Sequence, residues 1–183
     1  MTITCKELGL NGLTDVQKLN SEVFDGMYES KPYGLDVYQQ RLSGKKPLIY
    51  GAFDGKKLIG AAIGYDEGTA FYVWTLAVLP NYRGRGIGRK LLSICERYAR
   101  ENKFKKVTTK AYDVSNAMQN MLEPPFWKIV KTEHSGKDSK WDCRYYEMEV
   151  MEGTKLFLQR IHPDPKDTRM PVVNTKEWSA EDK

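Results

Sequence analysis

The sequence is poor in the residues that hold metals or cross-links. Its 183 residues include three cysteines and two histidines. Cys5, Cys95 and Cys143 lie far apart, with no C-x-x-C pair and only His134 and His162 as further soft ligands. Such a set supports neither a zinc site nor a disulfide framework, so no metal is expected. Long apolar runs are also missing, and no segment reads as a membrane span. The opening "MTITCKELGL" has neither the apolar stretch nor the small-residue cleavage site of a secretory leader. A cytoplasmic protein without a membrane partner is expected. The G-K pairs at Gly44, Gly55 and Gly136 are followed by Lys46, Lys57 and Asp138, not by the Ser or Thr of a nucleoside-triphosphate loop. The dinucleotide fingerprint fails as well, because Arg89 stands where its third glycine would fall.

What is present is an ordinary soluble balance, 40% apolar and 29% charged, in a chain long enough to build a core without staples. The net charge of +5 suits an anionic ligand and equally a solvated surface. Thr14 and Gln17 form a capping-box pattern ahead of Val16, Leu19 and Val23, which predicts a first helix to Phe24. A second is expected over Leu35–Leu42. "PLIYGAF" and "KLIGAAIGY" flank Asp54-Gly55, a hairpin signal, and Glu67-Gly68 turns the chain into "AFYVWTLAVL", which ends at Pro80. Residues 87–102 read as an amphipathic helix with Cys95 on its apolar stripe, and "KKVTTKAYD" as a strand reached by a right-handed crossover. A short helix over 116–122 and the strands "FWKIVKTE" and "DCRYYEMEVM" follow, joined by a turn at Ser135-Gly136. The expected domain covers 1–160. The proline- and charge-rich residues 161–183 read as a tail.

The stretch "LAVLPNYRGRGIGRKLL" carries the chemistry. Gly84, Gly86 and Gly88 alternate between a strand and a helix start, where backbone N–H groups and the helix dipole favour phosphate, and Arg83, Arg85 and Arg89 add positive charge. Arg83-Gly84-Arg85-Gly86-Ile87-Gly88 resembles the [Q/R]-x-x-G-x-[G/A] signature of the GNAT superfamily of N-acetyltransferases, and the element order resembles that fold. The resemblance implies an α/β (α+β) architecture. Its mixed, mostly antiparallel sheet would have about six to seven strands, helices on both faces, and one parallel step between the fourth and fifth strands.

The resemblance also implies acetyl-CoA as co-substrate. Leu76, Ala77 and Val78 would line its pantetheine arm, Arg83, Gly84, Arg85, Gly86, Ile87, Gly88 and Arg89 would cradle its diphosphate, and Asn116 would touch the same arm. Tyr72 occupies the position at which many members carry the catalytic base, where it is either that base, acting through water, or a wall of the acceptor cleft, and Glu67 is a second candidate base. Glu123 stands where the proton-donating tyrosine falls, and Pro124-Pro125 replaces the usual link, so Tyr112 becomes the substitute acid, ahead of Tyr145 and Tyr146. Acceptor specificity falls to the connection between the first two helices, where Asp25, Tyr28, Glu29 and Asp36 suit a cationic amine or simply form a solvated loop. Tyr33 and Tyr38 add aromatic surface there. The expected activity is acetyl transfer to a primary amine by direct attack. The alternatives are a non-catalytic acyl-CoA-binding module and an enzyme acting on a nucleic-acid-borne amine such as aminoacyl-tRNA. Family habit adds a homodimer.

Overall fold

The computed structural model describes residues 3–27, 31–122, 124–136 and 138–150. The boundary expected near residue 160 and the tail 161–183 lie outside the described residues, as do Tyr28, Glu29 and Glu123.

Seven strands form one sheet: β1 (Ile3–Glu7), β2 (Leu48–Asp54), β3 (Lys57–Asp66), β4 (Ala70–Val78), β5 (Lys106–Tyr112), β6 (Lys128–Glu133) and β7 (Cys143–Glu149). Their order is β1-β2-β3-β4-β5-β7-β6. Every pairing is antiparallel except β4 with β5, as the α/β reading expects. The late hairpin folds back so that β7 lies against β5 and β6 takes the edge, with Tyr146 opposite both Thr109 and Ile129.

Helices cover both faces. Helix α3 (Ile87–Glu101) buries Ile87, Leu91, Leu92, Ile94, Cys95 and Ala99. Phe71 of β4 packs beneath it, its ring 5.0 Å from that of Tyr98. Cys95 is core: complete burial pushes its thiol up to about 12. Helices α1 (Leu13–Phe24) and α2 (Leu35–Leu42) lie on the opposite face, where Tyr38 meets Trp74 with ring centroids 4.8 Å apart.

Two local expectations change. Thr14 is not a cap, because a 3-10 turn over Leu10–Gly12 runs straight into α1 and Gly12 already has helical dihedrals. Thr14 is therefore inside the first turn. Helix α4 spans Asn116–Gln119 rather than 116–122, since the bonds Met121 N–H to Met118 and Leu122 N–H to Gln119 tighten the chain into 3-10 geometry. Of the paired tyrosines in β7, Tyr146 is buried, whereas Tyr145 faces outward and donates to Glu133 across 2.7 Å.

Candidate active site

The site begins where two parallel strands part. Pairing between β4 and β5 runs from Ala70–Lys106 only as far as Val73–Thr109. At the same point β4 slips against β3: Val73 opposes Gly64 and Thr75 opposes Ile63, leaving Trp74 as the extra residue of a bulge. Beyond it, residues 74–78 keep β3 on one side and lack a partner strand on the other. Backbone groups in such a slot seek hydrogen bonds from whatever enters it, which fits an extended ligand with amides of its own.

Two side chains pin the bulge. The Thr109 hydroxyl donates to the Val73 carbonyl across 2.9 Å, and Asn20 Nδ2 of α1 donates to Thr75 Oγ1 across 3.3 Å and to Tyr38 Oη across 2.9 Å. Asn20 is 1% exposed. The sequence held one signal of this: Asn20 is a polar residue on the helix face that carries Val16, Leu19 and Val23. Trp74, Thr75 and Thr109 carried none.

After β4 a 3-10 turn over Pro80–Tyr82 leads into the glycine-rich loop. Gly84 and Gly86 both have positive φ, 74° and 75°, and Gly86 starts α3 with no side chain capping its first turn. The first N–H groups of that helix therefore face the loop with the positive end of the dipole behind them. A Cβ on Gly84 would meet nothing within 4 Å, so the space beside this backbone is open. Gly88 has a different reason to be glycine. Its Cβ would come within 3.0 Å of Met121 Sδ and 3.6 Å of Leu76 Cδ2, so it permits close packing between α3, β4 and the segment after α4.

The arginines are only partly available to a ligand. Arg83 Nε donates to the Val78 carbonyl across 3.1 Å, and Arg85 donates to the Asn81 carbonyl across 3.2 Å while its guanidinium lies 5.4 Å from the Tyr82 ring centre. Both brace the loop. Arg89 is half-buried in the first turn of α3 and Ile87 is fully buried behind the loop. Ala77 and Val78 have buried side chains, so only their backbone can line the slot, whereas Leu76 is half-buried. Asn116 is exposed at the start of α4, just past the end of β5.

Tyr72 lies one residue before the last paired position of β4, half-buried and edge-on to Tyr65 at 5.4 Å. Burial pushes its hydroxyl pKa well above the usual tyrosine value, and the neighbouring Tyr65 adds to the shift. It therefore stays protonated at neutral pH, where it is no base and presents its O–H as a hydrogen-bond donor. Tyr112, half-buried at the end of β5, is shifted the same way, mainly by burial and then by Cys143. Glu67 is exposed in the β3–β4 turn, where its N–H is bonded to the Ala70 carbonyl. Asp25, at the end of α1, and Asp36, in the first turn of α2, are also exposed. Among the described residues no group of three or more His, Cys, Asp or Glu is placed to hold a metal, and no helix is long and apolar enough to cross a membrane.

Comparison with known proteins bears on the same region. The model of the acetyltransferase (GNAT) family matches residues 13–123. The ribosomal-protein-S18-alanine N-acetyltransferase from Escherichia coli superposes with a TM-score of 0.70 at 14% identity, covering 84% of this chain and 97% of that one. A chain of the NatC complex, solved with Gag peptide and CoA, gives 0.67 at 21% identity, covering 82% and 100%. In sequence, an uncharacterized protein of Mycobacterium leprae is 34% identical over 79 residues, which span 41% of this chain and only 21% of that protein.

Proposed function

This chain belongs to the acetyltransferase (GNAT) family, and on that premise we propose that it is an acetyl-CoA-dependent N-acetyltransferase acting on a primary amine by direct attack. The observation that carries the reading is the parting of β4 and β5 at Val73–Thr109, set beside a glycine loop that opens onto the uncapped start of α3. The backbone of residues 74–78 would hold the pantetheine amides, with Leu76 against the arm and Asn116 at its edge. The loop from Arg83 to Arg89 would take the diphosphate, its N–H groups doing the binding and its arginines mainly fixing the loop.

In the reaction the amine nitrogen forms a bond to the thioester carbonyl carbon, the carbon–sulfur bond breaks, the thiolate takes up a proton, and the amine loses one. Burial keeps Tyr72 and Tyr112 protonated and makes them weaker acids, so the role given to one of them is an O–H hydrogen bond to the leaving sulfur, along which the thiolate takes up its proton. Tyr72 is then not the base. With Glu67 exposed in its turn, the amine proton leaves to water.

Acetyl-CoA-dependent thiol release, measured over a panel of amino acids, arylamines, polyamines, peptides and tRNA, tests the assignment. Release with any amine supports it. Silence across the panel, with acetyl-CoA bound in calorimetry, would favour the acyl-CoA-binding module, a reading motivated by a tyrosine in place of a carboxylate at position 72.

A further inference from the structure

The chemistry of the acceptor is written on the α1/α2 face of the bulge, if the chain is the acetyltransferase proposed above. Trp74 projects from the bulge into an aromatic wall, with Tyr38 at 4.8 Å, Tyr33 at 6.3 Å and Tyr65 at 6.4 Å between ring centres. Tyr72 joins the wall through Tyr65. Two cations are laid over it. The Arg41 guanidinium carbon is 4.9 Å from the Trp74 centroid, and the Lys45 ammonium is 3.7 Å from that of Tyr65. Both side chains are exposed, and the ion pairs among the described residues are made by other cations.

This arrangement selects by charge and by shape. An aromatic wall alone would attract a cationic ligand, but here the protein's own cations already cover the Trp74 and Tyr65 faces, so a polyamine would meet like charge. The Arg41 guanidinium sits over the indole and also hydrogen-bonds Tyr65, which holds it in place while its remaining N–H donors suit a carboxylate. Tyr33, 55% exposed and nearly parallel to Trp74, leaves a ring for a flat body to stack on. Nearby positive charge also disfavours the ammonium form of an incoming amine, which raises the neutral fraction that can attack a thioester. Among the described residues Glu67, whose charge reaches Tyr65 and Tyr72, is an opposing anion on this side and stands out in solvent. We infer that the acceptor is a small amine combining a flat aromatic body with a carboxylate, as in a free aromatic α-amino acid, bound by Arg41 and Lys45 at the rim of the aromatic wall.

The test compares phenylalanine and tryptophan with phenethylamine, tryptamine and spermidine as acceptors. In parallel, calorimetry measures N-acetylphenylalanine against N-acetylphenethylamine on the CoA-loaded protein. The carboxylated compounds should be preferred at least about tenfold in kcat/KM and in affinity, the scale of one charge-assisted hydrogen bond. Arg41→Gln should collapse that ratio and Lys45→Gln reduce it, with unchanged circular dichroism because both side chains are exposed. Equal use of the decarboxylated amines, preference for spermidine, or faster turnover of an acidic peptide than of any free amino acid would overturn the inference while leaving the acetyltransferase intact. Selective binding of N-acetylphenylalanine without thiol release from any amine would uphold the binding site and remove the enzyme. Neither turnover nor binding would overturn both.

Discussion

The Thr109 hydroxyl donates to the Val73 carbonyl across 2.9 Å at the last rung where β4 and β5 run together. Both residues are buried. The bond ties the two strands together at their last shared rung, so it marks where the pairing of β4 with β5 ends. Thr109→Val keeps the shape and removes the donor, so the Val73 carbonyl loses this buried hydrogen bond. A loss of about 1–3 kcal/mol is expected in urea unfolding, with a raised KM for acetyl-CoA. Thr109→Ser should restore both. If Val and Ser variants behave alike, the hydroxyl does not set the slot.

Gly86 and Gly88 should respond differently to alanine. At Gly86, φ of 75° strains any side chain by ~1–2 kcal/mol, and under the proposed function this distorts the loop that would bind the phosphate. The variant should stay folded and lose most of its CoA affinity in calorimetry. At Gly88 the methyl meets Met121 Sδ at 3.0 Å, a flexible side chain able to give way. Binding should change little there. Equal effects at the two positions would contradict the phosphate assignment.

Tyr72→Phe separates a donor from a wall. If the Tyr72 hydroxyl gives its proton to the leaving thiolate, kcat should fall by ~10²-fold or more with acetyl-CoA affinity intact. Because its pKa is raised by burial, the wild-type pH–rate profile should show no limb from Tyr72 ionisation at or below pH 10. Near-wild-type turnover in the variant would reduce Tyr72 to packing and shift the donor role to Tyr112.

Cys95 links burial to alkaline stability. Its folded-state pKa of about 12 exceeds the unfolded value of 9.0, so its contribution is complete below pH 9 and is lost as pH rises toward 12. Stability should fall over that window with a slope of up to ~1.4 kcal/mol per pH unit from this group. Cys95→Ala, though less stable overall, should flatten the fall by that amount. An unchanged slope would show that other groups govern alkaline unfolding.

The sequence by itself determined what local periodicity and turn chemistry encode. The Asp54-Gly55 hairpin, the α3 stripe around Cys95 and the glycine loop depend on residues a few positions apart, and all were legible. So was the parallel step, because strand, helix and strand admit one handed crossover. Tertiary structure alone decided the rest. The bulge at Trp74 is pinned by Asn20, 55 residues from Thr75, and by Thr109, 36 residues from Val73. No pattern within either segment specifies those partners. The insertion of β7 between β5 and β6 and the placing of Arg41 and Lys45 over aromatic rings have the same origin. Each is fixed by which faces remain to be covered once the sheet has closed around its core, a condition that only the folded chain imposes.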